Sequence, residues 1–320
     1  MSTRAAASIR LVQQHSIVVL VALLVALAGL IEIIRPGAVN ASWASNILEF
    51  AAPLGILAAG QTLVVITGGI DLSVANVATA AAYIMATQAP IGVTRGIVAG
   101  LLVGVVVGLV NGVGVAVFRV QPLIMTLAMG LVVIGSLNVY GQSDRARGVP
   151  SVPDVIRELG SGNVLGYVPV SFFLWSALAV IIIAGLRGTG FGRLLYAVGD
   201  NAEATRLAGV RAWQVLLANY TACGLLSAVA GLVLAGTVNA ADLGLANVLL
   251  LPSVAAVVIG GTSIFGGSGT YAGTIVGALI LTVLNSVLTL LDVPDAVKQI
   301  LYGAIIVVLA AAYTRVLGHD

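Results

Sequence analysis

LRGTGFGRLLYAVGDNAEATRLAGVRAW, Leu186 to Trp213, lies near the middle of the chain. It combines four arginines (Arg187, Arg193, Arg206, Arg211) with helix punctuation, and long apolar runs flank it on both sides. Gly190 and Gly199 bracket Phe191 to Val198, which predicts one short helix. Asn201 offers a side-chain cap for a second helix starting at Ala202, and Gly209 closes it. Glu203 in the first turn and Arg206 in the last follow the charge order that a helix dipole favours. Helices this short are marginal in water, so the pair is expected to pack on the rest of the fold or on a partner. The plain alternative is a polar loop whose arginines obey the positive-inside rule. The stretch reads as a cytoplasmic handle on a membrane-embedded body.

The rest of the composition agrees. Hydrophobic residues make up 60% of the 320, charged residues only 8%, and the mean hydropathy is +1.13. These values indicate an all-α polytopic membrane protein. A net charge of +2, without a basic cluster carrying interleaved aromatics, gives no support to nucleic-acid binding. The single cysteine, Cys223, can form no internal disulfide, and with His15 and His319 near the chain ends no metal site is expected. Arg4 and Arg10 precede an apolar run, as in a signal peptide, but the run Ser16 to Ile34 is too long for an h-region and reads as a retained first span.

Taking about 20 apolar residues per span, the chain divides into about ten: 16–34, 47–67, 73–89, 95–117, 122–141, 169–186, 214–236, 249–265, 270–291 and 296–314. An even number puts both termini on one side, here cytoplasmic, within a single transmembrane domain over 1–320. With that orientation the cytoplasmic side holds Arg4, Arg10, Arg119, Arg187, Arg193, Arg206, Arg211 and Arg315. The opposite side holds fewer basic residues, and Arg145, Arg147 and Arg157 there mix with Asp144, Asp154 and Glu158 in the polar segment 142–168, punctuated by Pro150 and Pro153. That segment reads as a periplasmic or extracellular lid, docking surface or passive connection. Segments 1–15 and 187–213 read as cytoplasmic.

Gly100, Gly104, Gly108 and Gly112 form consecutive small-xxx-small steps on one helix face, and Gly269, Gly273 and Gly277 repeat the spacing. Such glycines let helix backbones approach closely where lipid supplies no hydrophobic drive. Two breakers look alike: VVITGGIDLS (Val64 to Ser73) and VVIGGTSIFGGSG (Val257 to Gly269). Broken backbone at membrane depth is tolerated only inside protein or beside a wet cavity, so both are candidate pathway elements, and the shared pattern suggests an internal duplication. The alternative is a pair of interfacial turns. Gly68, Gly69, Asp71 and Ser73 mark the first, where an ionisable group near the membrane calls for an assignment.

No HExxH, GxSxG, cysteine pair or GxxxxGK[ST] occurs, so the chain is not read as an enzyme. Energy for transport would come from an ion gradient or another subunit. Glu32 and Glu49 lie near span ends, and the central polar residues are amides and hydroxyls: Gln61, Thr62, Asn76, Asn111, Thr126, Asn138, Asn219 and Asn285. Such a lining suits a neutral, hydroxyl-rich solute, although residues of these types also glue helices together. With 5% aromatics a strong stacking site is not expected, and a separate protein would do the capture.

GQTLVVITGGIDLSV (Gly60 to Val74), VGDNAEATRLAGV (Val198 to Val210) and GGTSIFGGSGTYAGTIVGALIL (Gly260 to Leu281) resemble, in order and spacing, three stretches of the ribose-type permeases, the membrane subunits of bacterial ABC importers for monosaccharides. The resemblance implies about ten transmembrane helices in the vitamin-B12-importer (type II) architecture, in the inner membrane. It further implies a second copy or a related permease, two cytoplasmic ATPase subunits or one tandem ATPase, and a periplasmic or lipid-anchored sugar-binding protein. ATP and magnesium would sit on the ATPase, with no cofactor in this chain. Coupling to the ATPase would fall to Gly199, Asp200, Asn201, Glu203, Ala204, Arg206, Leu207 and Gly209; Asp200 and Thr205 depart from the residues common there, which leaves the partner's identity open. The path or gate would involve Gln61, Thr62, Gly68, Gly69, Asp71, Ser73, Asn76, Asn219 and Asn285. The rival readings are a permease for branched-chain amino acids or nucleosides, an ion-coupled secondary carrier, and a membrane scaffold.

Overall fold

The computed structural model describes residues 16–143, 151–164 and 166–317. Segment 1–15 with Arg4, Arg10 and His15, the residues Asp144, Arg145, Arg147 and Pro150, and His319 lie outside the described residues. The helices are α1 (Ser16–Ile34), α2 (Ala41–Ile66), α3 (Val74–Gln88), α4 (Val93–Ala116), α5 (Pro122–Gly141), α6 (Asp154–Ser161), α7 (Val170–Gly188), α8 (Gly190–Asp200), α9 (Ala202–Leu207), α10 (Ala212–Val238), α11 (Leu250–Ile259), α12 (Tyr271–Leu290) and α13 (Asp295–Leu317). Two two-residue strands, β1 (Asn163–Val164) and β2 (Val168–Pro169), pair antiparallel between α6 and α7.

A helix lies in each of the ten expected spans. Among the described residues seven, α1, α2, α4, α5, α7, α10 and α12, are long and apolar enough to cross a membrane by length and composition. Two of the others are short: α3 has 15 residues, and the apolar helical stretch around α11 covers only Asn247–Ile259. The expected span 249–265 therefore stops early, because Gly260 and Gly261 break it.

Helix α2 is the buried axis, with every residue from Ala51 to Ile66 buried. Pro53 lies inside it, and Gly55 leaves room where a Cβ would overlap the Trp175 indole of α7. Trp175 Nε1 donates to Tyr271 Oη at 2.8 Å, and Tyr271 Oη donates to the Gly55 carbonyl at 2.8 Å. One hydrogen-bonded chain thus ties α7, α12 and α2 together. A second tie joins the Thr62 and Thr274 hydroxyls, 2.9 Å apart.

Helix α10 packs on α2, α3 and α4, and the glycine stripe of α4 explains how closely. Methyl groups at Gly104 or Gly108 would overlap the carbonyls of Gly224 and Tyr220. One at Gly100 would come within 2.6 Å of the Ala81 carbonyl, and one at Gly112 within 3.0 Å of Leu217 Cα. Gly273 and Gly277 likewise admit the backbone of Gly260 and Ala256. Gly269 departs from its expected place: Thr270 caps α12, its Oγ1 accepting from Gly273 N at 3.2 Å. Gly269 therefore belongs to the preceding turn, where a Cβ would strike Thr262.

The bundle has two differently built ends. One gathers the 67–73 turn, α8, α9 and the 260–270 turn. The other gathers the 35–40 turn, α6 with its small hairpin, and the 239–249 and 291–294 connections. In the polar segment before α7, Val152 and Ile156 are buried and Gly160 abuts Gly236 and Thr237 at the end of α10.

Gly224→Leu should lower the melting temperature of the detergent-solubilised protein, since overpacking against backbone costs about 1–3 kcal/mol. Gly135→Ala, with open space around it, should leave it unchanged or raise it slightly.

Candidate functional site

The central stretch folds as the sequence predicts, into two short helices, with one adjustment at their ends. Thr189 rather than Gly190 caps α8, its hydroxyl accepting from Gly192 N at 3.1 Å, and α8 runs through Gly199 to Asp200. Asn201 Oδ1 then accepts from Ala204 N at 2.9 Å and opens α9. Thr205 is the buried residue of α9; its hydroxyl donates to the carbonyls of Ala197 and Asn201 at 2.8 and 2.7 Å, locking α9 onto α8. Glu203, Ala204, Arg206, Leu207 and Ala208 are exposed. Arg206 and Glu203 pair with each other at 2.6 Å, and the Arg206 guanidinium holds the Glu203 carboxyl below its ordinary range. Both are open to solvent, so screening leaves the pair little weight in stability. Leu207, 74% exposed, is an apolar side chain at the tip of a charged segment.

The inner face of α8 rests on both breaker turns. A Cβ at Gly199 would overlap the carbonyl of Ile66, the last residue of α2, and come within 2.7 Å of Gly267 N. That carbonyl accepts from Gly267 N at 2.9 Å. A Cβ at Gly266 would meet the Gly199 carbonyl at 2.7 Å and Gly68 N at 2.9 Å. Tyr196 Oη donates to the Gly269 carbonyl at 2.8 Å. Three glycine-bearing segments, far apart in sequence, therefore touch backbone to backbone.

The two breakers also end their helices alike. Gly69 N donates to Val64 O at 3.2 Å, and Thr262 N donates to Val257 O at 3.1 Å. The residues before these donors, Gly68 and Gly261, have φ of +76° and +84°, the left-handed conformation such a helix end requires. The resemblance between VVITGG and VVIGGT is one of geometry as well as letters.

Asp71 lies inside the protein, 1% exposed. Its Oδ1 accepts from Ser73 N at 2.8 Å and from Ser73 Oγ at 2.6 Å, and Asn111 Nδ2 donates to Ser73 Oγ at 2.9 Å. Gln61 grips the backbone of Asp71 from both sides, Nε2 donating to its carbonyl at 2.6 Å and Oε1 accepting from its N–H at 3.3 Å. Thr126 Oγ1 accepts from Leu72 N at 3.0 Å, and Asn76 Nδ2 donates to Gly130 O at 3.1 Å. Asn219 Nδ2 donates to Leu63 O at 3.0 Å and Thr67 Oγ1 at 3.2 Å, fastening α10 to the last turn of α2.

Gln61, Gly68, Gly69, Asp71, Ser73, Asn76 and Asn219 are thus brought together around the first breaker, while Thr62 faces α12. Asn285 stands apart, at the other end of the bundle, lining an open cleft. Gly266 and Gly267 lie in the second breaker that the sequence marks, whereas Tyr196 carries no such mark, nor do Tyr220 and Cys223, which lie beside the Asp71 turn. A lone aromatic or thiol in an apolar run carries no periodic mark. No group of three or more His, Cys, Asp or Glu that could hold a metal occurs among the described residues.

A family profile described as "Branched-chain amino acid transport system / permease component" matches residues 43–310. The ribose import permease protein RbsC of Escherichia coli K12 is 35% identical over 294 residues, 91% of each chain. Its Haemophilus influenzae counterpart is 33% identical over 320 residues, 96% of this chain and 94% of that one. The fructose import permease protein FrcC of Rhizobium meliloti is 32% identical over 275 residues, 83% of this chain and 76% of that one. No solved structure matches the chain.

Gln61→Leu orphans the Asp71 N–H and carbonyl and should cost about 1–3 kcal/mol, read as a lower melting temperature. Asp71→Asn keeps an acceptor for Ser73 and should retain most of the stability that Asp71→Leu loses. Equal behaviour of the two variants would contradict the role of the carboxyl as the internal cap of this turn.

Proposed function

Because this chain belongs to the branched-chain amino acid transport system / permease component family, we propose that it is the membrane-spanning subunit of an ATP-driven importer for a monosaccharide. The sugar reading rests on the ribose and fructose permeases among its relatives. It fits a bundle whose buried polar side chains are mostly amides and hydroxyls, with Asp71 and Lys298 as the charged exceptions. The chain works as one of two permease copies, or beside a related permease, in the inner membrane. Its ten spans take the type II arrangement, with both termini and the α8–α9 element in the cytoplasm. A separate binding protein delivers the sugar, and ATP and magnesium sit on the partner ATPase.

The observation that carries the mechanism is the contact of α8 with both breaker turns at Gly199. Helix α9 offers the ATPase an exposed tip, with Leu207 entering its groove and Glu203 and Arg206 flanking it. Helix α8 is locked to α9 through Thr205, so displacement of the tip moves α8 as a body. Side-chain-free contacts leave no compliant layer to absorb the movement, and the ends of α2 and α11 shift with it. Gln61, Asp71 and Asn219 set the shape of the first turn, which stands beside the translocation path. Closure of the ATPase pair drives the two coupling elements together and alternates access to the sugar.

A second reading, a permease for branched-chain amino acids, is favoured by the description of the matched family itself. Uptake of labelled ribose, fructose, leucine and guanosine separates the two.

Purified gently from its native membrane, the chain should bring an ATPase subunit with it and support ATP-dependent monosaccharide uptake. Leu207→Asp should abolish both while leaving the chain folded. A chain that arrives alone and moves solute on an ion gradient would overturn the reading.

A further inference from the structure

At the end of the bundle away from α8 and α9, two openings meet at Asn285. The wider, about 970 Å³, lies between the ends of α1, α2 and α12 and includes Trp43 and Asn46. The narrower, about 320 Å³, lies among α2, α10, α11, α12 and α13, a volume within the ~300–1,000 Å³ common for small-molecule sites. Phe50, Thr282 and Asn285 line both, so the two openings share a wall.

The cleft has two chemically distinct sides. Phe50, Leu54 and Pro252 form an apolar side, and Asn285, Asp295, Lys298, Gln299 and Tyr302 a polar one. Lys298 is 8% exposed and already committed: Nζ lies 2.9 Å from Asp295 Oδ1 and donates to Thr289 Oγ1 at 2.9 Å. Its charge is neutralised within α13, which leaves the polar side without a free cation. Tyr302 Oη donates to Asn285 Oδ1 at 3.4 Å, which orients that amide. Among the described residues neither Asn285 Nδ2 nor the Gln299 amide hydrogen-bonds another protein group.

The exposed Asn285 Nδ2 and Gln299 amide, in one cleft with the exposed Phe50 ring, suit a small neutral polyol. Its hydroxyls exchange hydrogen bonds with the amides, and its C–H face lies against Phe50. A zwitterionic amino acid would need a cation for its carboxylate; Lys298 in the cleft is buried and paired, and Arg35 lines the wider opening rather than the cleft. An acyl chain would leave contiguous polar side chains without partners, at a cost.

Resting on the sugar-permease reading, we propose that this cleft is the site at which the permease receives the monosaccharide, with Asn285 and Gln299 binding its hydroxyls and Phe50 its apolar face. The Lys298–Asp295 pair holds the polar side in shape without offering it charge.

The test uses the whole importer, isolated with its ATPase and reconstituted in vesicles with its binding protein. The single cysteine of the chain, Cys223, is buried, so Gln299→Cys provides the accessible thiol. A membrane-impermeant maleimide should label it from the face opposite the ATPase, and D-ribose or D-fructose, whichever the wild type takes up, should slow labelling while leucine does not. Tyr167→Cys, at the same end but outside the cleft, should be indifferent to both solutes. Asn285→Ala and Gln299→Ala should each cut uptake by about fivefold, the worth of one hydrogen bond, with the ATPase still bound. If the wild type imports a sugar but labelling is unprotected and both variants transport normally, the cleft proposal fails and the permease reading stands. If the wild type imports leucine and no sugar, the permease reading fails and the proposal with it.

Discussion

Backbone that breaks inside a lipid-embedded body must find its hydrogen-bond partners within the protein, and the architecture of this chain follows from how it meets that constraint. The carbonyl closing α2 at Ile66 accepts from Gly267 of the other breaker, so each interruption helps to satisfy the other. Asp71 and Gln61 complete the first turn internally, and Asn219 binds it to α10. Polar residues that would be costly one at a time become affordable as a connected network.

The same constraint ties the exposed end of the protein to its interior. Two breaker turns stitched together by backbone contacts form a rigid floor, and α8 lies on it at Gly199 with no side chain between. Contacts through glycine are close and stiff, because close-packed backbone has no rotamers with which to relax. The α9 tip and the membrane-embedded helix ends consequently belong to one mechanical unit. The opposite end is built differently, with wide openings, exposed amides and a small hairpin before α7.

Much of this was legible in the sequence. The seven long apolar helices, the short helix pair capped by Asn201, and the α4 stripe of Gly100 to Gly112 rest on local or periodic rules and appear where those rules put them, whereas the expected span 249–265 stops at the glycine pair. The matched ends of α2 and α11 were visible as repeated letters. What escaped was tertiary: nothing local says that Gly199 meets Ile66 and Gly267, because a glycine near a helix end reads as a terminator rather than a contact. Gln61 and Asn219 read as path-lining amides, whereas the structure gives them backbone groups to hold. Asp295, Lys298 and Gln299 look like an ordinary helix start until α2 and α12 are folded beside them.

The central claim is that Gly199 transmits movement of the coupling element to both breakers, and the most direct measurement is the amount of sugar imported per ATP hydrolysed by a reconstituted importer carrying Gly199→Ala. The account predicts a complex that keeps its ATPase and hydrolyses ATP but imports far less sugar per turnover, since the added methyl holds α8 away from the Ile66 carbonyl. An assembled variant with the wild-type ratio would contradict it.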